Sequence, residues 1–172
     1  MYKILITIFI TFFLTTKTNS EIIKKVIIEN NERITKDTIL VFSDIKIGED
    51  YTPNELNQII KDLFSTNFFS DLSLNLDDGI LTISVVENKV IQEVQINGIK
   101  KKELVDILKK QLLLKDKNPF VENFVSNDVE RIKKILKNSG YYFSSVTDKI
   151  IENQNKTVNV IFNIELGEKA YI

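Results

Sequence analysis

Val85-Val86-Glu87-Asn88-Lys89-Val90-Ile91-Gln92-Glu93-Val94-Gln95-Ile96-Asn97-Gly98 is the stretch that decides how this chain folds. Val85 closes one alternating apolar run. Val94 and Ile96 open another, which Asn97-Gly98 ends in a turn. Alternation of apolar and polar residues marks a half-buried strand, so two strands meet here almost without a linker. The residues before this seam can be laid over the residues after it. The chain is therefore expected to hold two tandem copies of one small unit.

The first copy is expected over residues 21–88. Ile23, Val26 and Ile28 lie in a strand-like run, Ile22 to Glu29, ended by Asn30-Asn31, because Asn tolerates positive φ. Thr35 is placed to cap a short helix carrying Ile39, Leu40 and Phe42. Gly48 breaks the chain before a second helix. Thr52-Pro53-Asn54-Glu55 then puts Thr at the N-cap, Pro at N1 and Glu at N3, a capping box with the favoured proline. Leu56, Ile59, Ile60, Leu63 and Phe64 come next at helical spacing. Asn67 is the left-handed stop, and Phe68-Phe69 leads into the core. Leu72-Ser73-Leu74-Asn75-Leu76 is a period-2 strand, Asp77-Asp78-Gly79 a hairpin turn, and Leu81, Ile83 and Val85 the return. The order is strand, helix, helix, strand, strand.

The second copy is expected over residues 89–167. Val94 and Ile96 open it, and Gly98 stands where Asn30 stood. A helix from about Glu103 carries Leu104, Ile107, Leu108 and Leu112. Asn118-Pro119 makes the break. The next helix shows Val125, Val129, Ile132 and Leu136. Phe120 lies 69 places after Tyr51, and Leu136 lies 73 places after Leu63, so this copy is expected to hold about one extra helical turn. Gly140 matches Asn67, and Tyr141-Tyr142 matches Phe68-Phe69. A strand from Val146 to Glu152, a polar turn, and Val158-Val160-Phe162-Ile164 complete the same order. Self-similarity at a period near 70 residues is the mark of a repeat array. The expected fold is α+β: two tandem β-α-α-β-β domains, each a three-stranded mixed sheet with two helices on one face. Glu168-Lys169-Ala170-Tyr171-Ile172 is similar to Lys89-Val90-Ile91, so a third copy is expected to begin there, and the chain to be a fragment or an early stop.

The composition narrows the chemistry. The 172 residues are 43% hydrophobic, which suits globular folding, and they include no cysteine and no histidine. Disulfides, thiol nucleophiles, imidazole bases and the usual zinc ligand sets are thus excluded. A net charge of -1 offers no electrostatic footprint for nucleic acid. At the N-terminus, Met1-Tyr2-Lys3 is a short positive start, Ile4 to Leu14 is apolar except for Thr7 and Thr11, and Thr18 and Ser20 suit a signal-peptidase site. The apolar run is well short of the ~20 residues that span a bilayer. Residues 1–20 are expected to be a cleaved signal peptide, with an uncleaved anchor as the alternative.

Several segments in combination resemble the polypeptide-transport-associated (POTRA) repeats of outer-membrane protein assembly factors. They are Ile28-Glu29-Asn30-Asn31-Glu32-Arg33-Ile34, Gly48-Glu49-Asp50-Tyr51-Thr52-Pro53-Asn54-Glu55-Leu56-Asn57, and Leu63-Phe64-Ser65-Thr66-Asn67-Phe68-Phe69-Ser70-Asp71-Leu72. The seam Val85-Val86-Glu87-Asn88, Ser139-Gly140-Tyr141 and Gly167-Glu168-Lys169-Ala170-Tyr171-Ile172 also fit. Asn30 and Asn67 stand where the family usually has Gly, and Lys89 replaces a common Pro. The family's membrane barrel lies downstream of its repeats, and no part of this chain resembles it. The resemblance implies export to the periplasmic side of the bacterial outer membrane. It implies as partners unfolded outer-membrane proteins and accessory lipoproteins, with attachment to the membrane through a downstream barrel. No cofactor and no nucleic acid is expected.

The expected binding element is a sheet edge. In this strand order the last two strands form a hairpin and the first can lie parallel beside the final one, leaving the middle strand outermost. Leu72, Ser73, Leu74, Asn75 and Leu76, and Val146, Thr147, Asp148, Lys149 and Ile150, would then offer unpaired N–H and C=O groups to an extended client. Against this, Asp71, Asp77, Asp148 and Lys149 could blunt the edges. Lys100-Lys101-Lys102 with Lys109-Lys110 is expected to be a solvated helix face, with an acidic partner or lipid headgroups as the alternative. No enzymatic activity is expected: Asp77-Asp78 beside Gly79 is a turn, Glu49-Asp50 lacks further metal ligands, and no phosphate cradle or nucleophile elbow is present. The repeats of a two-partner secretion transporter, or of a membrane-anchored division or envelope protein, are the competing readings.

Overall fold

The computed structural model describes residues 20–169. The expected signal segment and third-copy start lie outside them, but for Ser20, Glu168 and Lys169. The strands are β1 (Glu21–Ile22), β2 (Lys25–Glu29), β3 (Asp50–Tyr51), β4 (Phe69–Asp77), β5 (Ile80–Glu87), β6 (Val90–Asn97), β7 (Ser145–Glu152) and β8 (Thr157–Glu165). The helices, in chain order, are α1 (Lys36–Ser43), α2 (Pro53–Ser65), α3 (Lys102–Gln111) and α4 (Asn123–Asn138). The backbone divides into two compact units: residues up to Ser65 with Asp71–Val85, and Thr66–Ser70 with Val86 onward. Asn88 accounts for the short exchange. Its backbone N–H donates to the carbonyl of Phe68 at 2.8 Å, and its side chain to that of Asn67 at 2.9 Å.

The main sheets run β2-β5-β4 and β6-β8-β7. β2 is parallel to β5 and β6 is parallel to β8, while β7 is antiparallel to β8. β4 and β5 are joined through Asp78 and Gly79, both at positive φ, as the tight two-residue hairpin turn requires. Core residues come from the inward positions of the strands and one stripe of each helix. In the second unit Val94, Leu108, Ile132, Leu136, Val160 and Phe162 share one cluster. In the first, Ile28, Ile39, Ile59, Leu63, Leu81 and Ile83 are buried.

The helix starts form as their sequences dictate. The Thr35 side chain accepts from the Thr38 N–H. The Thr52 N–H donates to Glu55 Oε2 at 2.7 Å, and the Glu55 N–H returns to Thr52 Oγ1 at 3.3 Å, closing the capping box. α4 has 16 residues against 13 in α2, close to the extra turn inferred from the spacing. Asn30 and Gly98, and Asn67 and Gly140, all have positive φ at matching places.

Several expectations need correction: β4 begins at Phe69 rather than Leu72, and Leu112 lies past the end of α3 as its C-cap. The run Ile22 to Glu29 is not one strand: it breaks at Ile23 and Lys24. There the chain leaves an antiparallel pairing with β3 and enters a parallel one with β5, and the Gly79 carbonyl accepts from both Lys24 and Lys25. β6 begins earlier than Val94, at Val90, and carries the counterpart of that break as a register shift between Ile91 and Glu93. Ile107 is 51% exposed rather than core. It lies one 100° helical step from Leu108, outside the stripe that Leu104 and Leu108 set.

Candidate binding edges of the two sheets

Each main sheet has two edges, and in the second unit one of them is covered over its first half, from Val90 to Val94. The outer side of β6 is occupied by the loop after α3. Phe120 N–H donates to the Lys89 carbonyl at 2.7 Å, Ile91 N–H to Asn118 at 2.9 Å, and Lys117 N–H to Ile91 at 2.7 Å. Asp116 Oδ1 takes the Val94 N–H at 2.7 Å. The first unit has a similar clip on β1 and Ile23, ahead of β2 rather than along it. Ile23 N–H donates to Glu49 at 3.1 Å, Gly48 N–H to Ile23 at 2.7 Å, and Ile22 pairs with Asp50 as Val90 does with Pro119. Lys117 and Gly48 sit at the same bend, both with positive φ. Ile23 and Ile91 are both fully buried under these clips.

The opposite edges are β4 and β7, where the candidate residues lie. Ser73, Asn75, Thr147, Asp148 and Lys149 are exposed. Leu74, Leu76 and Ile150 are half-buried, and Leu72 and Val146 are buried. Because side chains alternate between faces, Leu72, Leu74 and Leu76 share one face of β4, and Leu72 shows it to be the core face. On β7 the register identifies the core face: Val146 lies opposite Ile164, Asp148 opposite Phe162 and Ile150 opposite Val160, all three β8 partners being buried. Asp148 therefore stands on the core side of an edge strand between two apolar residues. The other face of β7 carries Thr147 and Lys149, opposite Asn163 and Ile161.

The basic cluster Lys100, Lys101, Lys102, Lys109 and Lys110 is exposed, as a solvated face would be. Lys115 Nζ donates to the carbonyls of Lys109 and Lys110 at 2.5 and 2.9 Å, closing the C-terminus of α3. Lys109 and Lys110 lie in that last turn, where the helix dipole favours cations. Lys101 pairs with Glu103 at 3.4 Å. A pocket of about 280 Å³ lies beside Val94, Lys109, Leu112, Leu114, Lys115 and Asp116. Its Lys115 and Asp116 are the groups already committed to α3 and to Val94. Among the described residues, no group of three or more acidic, histidine or cysteine side chains could hold a metal, and no helix is long and apolar enough to cross a membrane.

Two polar residues central to the second unit escape a reading by apolar spacing alone. Asp128 on α4 is fully buried and accepts from the N–H groups of Leu113 and Leu114, at 2.7 and 2.9 Å. Its signal is its place three residues after Val125 and four before Ile132, within the apolar stripe, where a carboxyl group needs a buried donor. Asp116, which closes the β6 edge, has no comparable periodic signal.

Comparisons with known proteins agree with this architecture. The family model described as POTRA, surface antigen variable number repeat, matches residues 21–88 and again residues 89–167. The outer membrane protein assembly factor BamA of Neorickettsia risticii (strain Illinois) is 25% identical over 145 residues, covering 84% of this chain and 20% of that protein. BamA of Neisseria meningitidis serogroup B is 26% identical over 153 residues, covering 87% and 19%. The chain thus spans about a fifth of the length of these curated relatives. Among solved structures, the N-terminal domain of Omp85 from Thermosynechococcus elongatus aligns with a TM-score of 0.58 at 18% identity, covering 87% of this chain and 64% of that one. POTRA1-2 of the periplasmic domain of Omp85 from Anabaena aligns with a TM-score of 0.52 at 15% identity, covering 89% and 99%. Matched across both of its repeats, the chain belongs to the POTRA family.

Proposed function

We propose that this chain supplies periplasmic binding modules for outer-membrane protein assembly, and that it receives unfolded outer-membrane proteins or accessory lipoproteins by adding their extended segments to its sheet edges. The observation that carries the reading is the outermost position of β4 and β7, whose central neighbours β5 and β8 are already paired on both sides. An edge strand keeps a row of backbone donors and acceptors free for a further strand. Pairing through the backbone is largely indifferent to side-chain identity, which suits a receiver of many clients. The names of the relatives, assembly factors all, support the same role.

The test uses the chain without residues 1–20 and a synthetic segment of an unfolded outer-membrane barrel protein. Amide NMR shifts are followed during titration with the segment and with a version N-methylated at alternate residues. Perturbation along β4 or β7 that the N-methylated version fails to produce supports strand addition. Equal binding of both versions, or perturbation confined to the helices, overturns it.

A further inference from the structure

Resting on that reading, we infer that the edges formed by β4 and β7 are unequal: β4 receives an extended segment with apolar side chains at alternate positions and basic residues at its ends, and Asp148 closes β7 to the same segment. On the core side β4 presents Leu72, Leu74 and Leu76 in succession, the last two half-buried. A strand added beside them places every second side chain against this row and takes the remaining leucine surface out of water. That is the pattern of a barrel strand, in which apolar and polar residues alternate.

β7 interrupts the corresponding row. Val146, Asp148 and Ile150 occupy the core side, and Asp148 is exposed there because no strand lies beyond it. An added strand with an apolar residue facing Asp148 would bury the carboxyl group without a partner, which is strongly unfavourable. Inward-pointing charge is a known means of keeping an edge strand from pairing. No comparable charge interrupts the leucines of β4.

Charge also decides against a second copy of this chain as the occupant of β4. A two-fold antiparallel pairing that stacks the leucines puts Leu74 opposite its counterpart and Leu72 opposite Leu76. The same register puts Asp71 opposite Asp77 at both ends, and like charges directly opposite are destabilising. Between Phe69 and Gly79 the chain carries Asp71, Asp77 and Asp78 and no basic residue. A partner with Lys or Arg at its ends turns that repulsion into attraction.

The test titrates the chain without residues 1–20 with a peptide of about ten residues, the length of a barrel strand, alternating Val and Thr with Lys at both ends. Binding is read by amide shifts and hydrogen exchange. The expected result is protection of β4 over Leu72–Leu76 with β7 unaffected, and at least tenfold weaker binding when Glu replaces the terminal Lys residues. Asp148→Val, at an exposed position, is expected to bring β7 within about tenfold of β4. Equal protection of both edges in the unchanged chain overturns the inference and leaves the proposed function standing, as does an Asp148→Val variant whose β7 still ignores the peptide while β4 binds it. Protection of β4 without peptide in a concentration-dependent dimer overturns the inference in favour of a second copy. No binding at either edge, with or without Asp148→Val, overturns the proposed function itself.

Discussion

Asp128, fully buried on α4, holds the backbone N–H of Leu114 at 2.9 Å and that of Leu113 at 2.7 Å. One carboxyl group thereby ties the loop after α3 to the helix beneath it. Arg131 Nε stands 3.7 Å away and is partly exposed, so the loop amides are the closer partners. Asp128→Ala leaves two amide donors without an acceptor, each costing about 1–3 kcal/mol when buried. The expected loss is about 2–4 kcal/mol of unfolding free energy, measured by urea denaturation. A loss below about 0.5 kcal/mol would show that water serves the loop equally well.

Gly98 is required by space as well as by φ. A Cβ at this position would lie 1.8 Å from the carbonyl oxygen of Ile164, an overlap with backbone that no side-chain rotation relieves. Gly98→Ala is expected to lower stability by about 3 kcal/mol or more, in the range of strained or overpacked substitutions. Thermal unfolding followed by circular dichroism checks this. An unchanged midpoint would contradict the close approach.

Lys117 does with a side chain what Gly48 does without one. Both occupy the bend whose N–H donates to the carbonyl of a buried isoleucine, Ile91 or Ile23, at φ 67° and 95°. A non-glycine residue in the left-handed region costs about 1–2 kcal/mol, while glycine costs about 0.5–1 kcal/mol in lost chain entropy. Lys117→Gly is therefore expected to stabilise the second unit slightly, by up to about 1 kcal/mol, read as a raised urea midpoint. Destabilisation of that size would mean that the Lys117 side chain contributes through contacts of its own.

Acid acts on the cap of α2 through Glu55. The Thr52 backbone N–H, and then its hydroxyl, donate to the Glu55 carboxyl group and hold its pKa below the ordinary value. A depressed carboxyl pKa contributes stability that is fully present above the unfolded value and is lost as pH falls through the folded one. The cap is thus expected to weaken only in acid below the usual glutamate range. In an NMR titration of the Glu55 carboxyl, Thr52→Ala moves the midpoint upward without restoring the full ordinary value, because the backbone donor remains. No movement would assign the shift to the backbone alone.

Most of the fold was legible because it rests on short-range chemistry. The capping box at Thr52 and Glu55, the Asp78-Gly79 hairpin and the left-handed stops at Asn67 and Gly140 are each specified by residues next to one another. The repeat itself placed β4 and β7 outermost. Long-range polar contacts were less legible. Asp116 and Val94 are 22 residues apart, and nothing in either neighbourhood signals their bond. The break at Ile23 and Lys24 was hidden for the same reason: the apolar pattern continues across it while the hydrogen-bonding partner changes from β3 to β5. The core-side position of Asp148 depends on its register with Phe162, which a strand pattern alone does not supply.

Extended clients are proposed to join the outermost edge of β4. Hydrogen–deuterium exchange on the chain without residues 1–20, with and without a saturating segment of an unfolded outer-membrane barrel protein, is the decisive measurement. Slowed exchange is expected over β4, Phe69–Asp77, with β5 and β8 unchanged because their amides are already paired within their sheets. Unchanged exchange in β4, with protection appearing instead on α1 or α3, would contradict it.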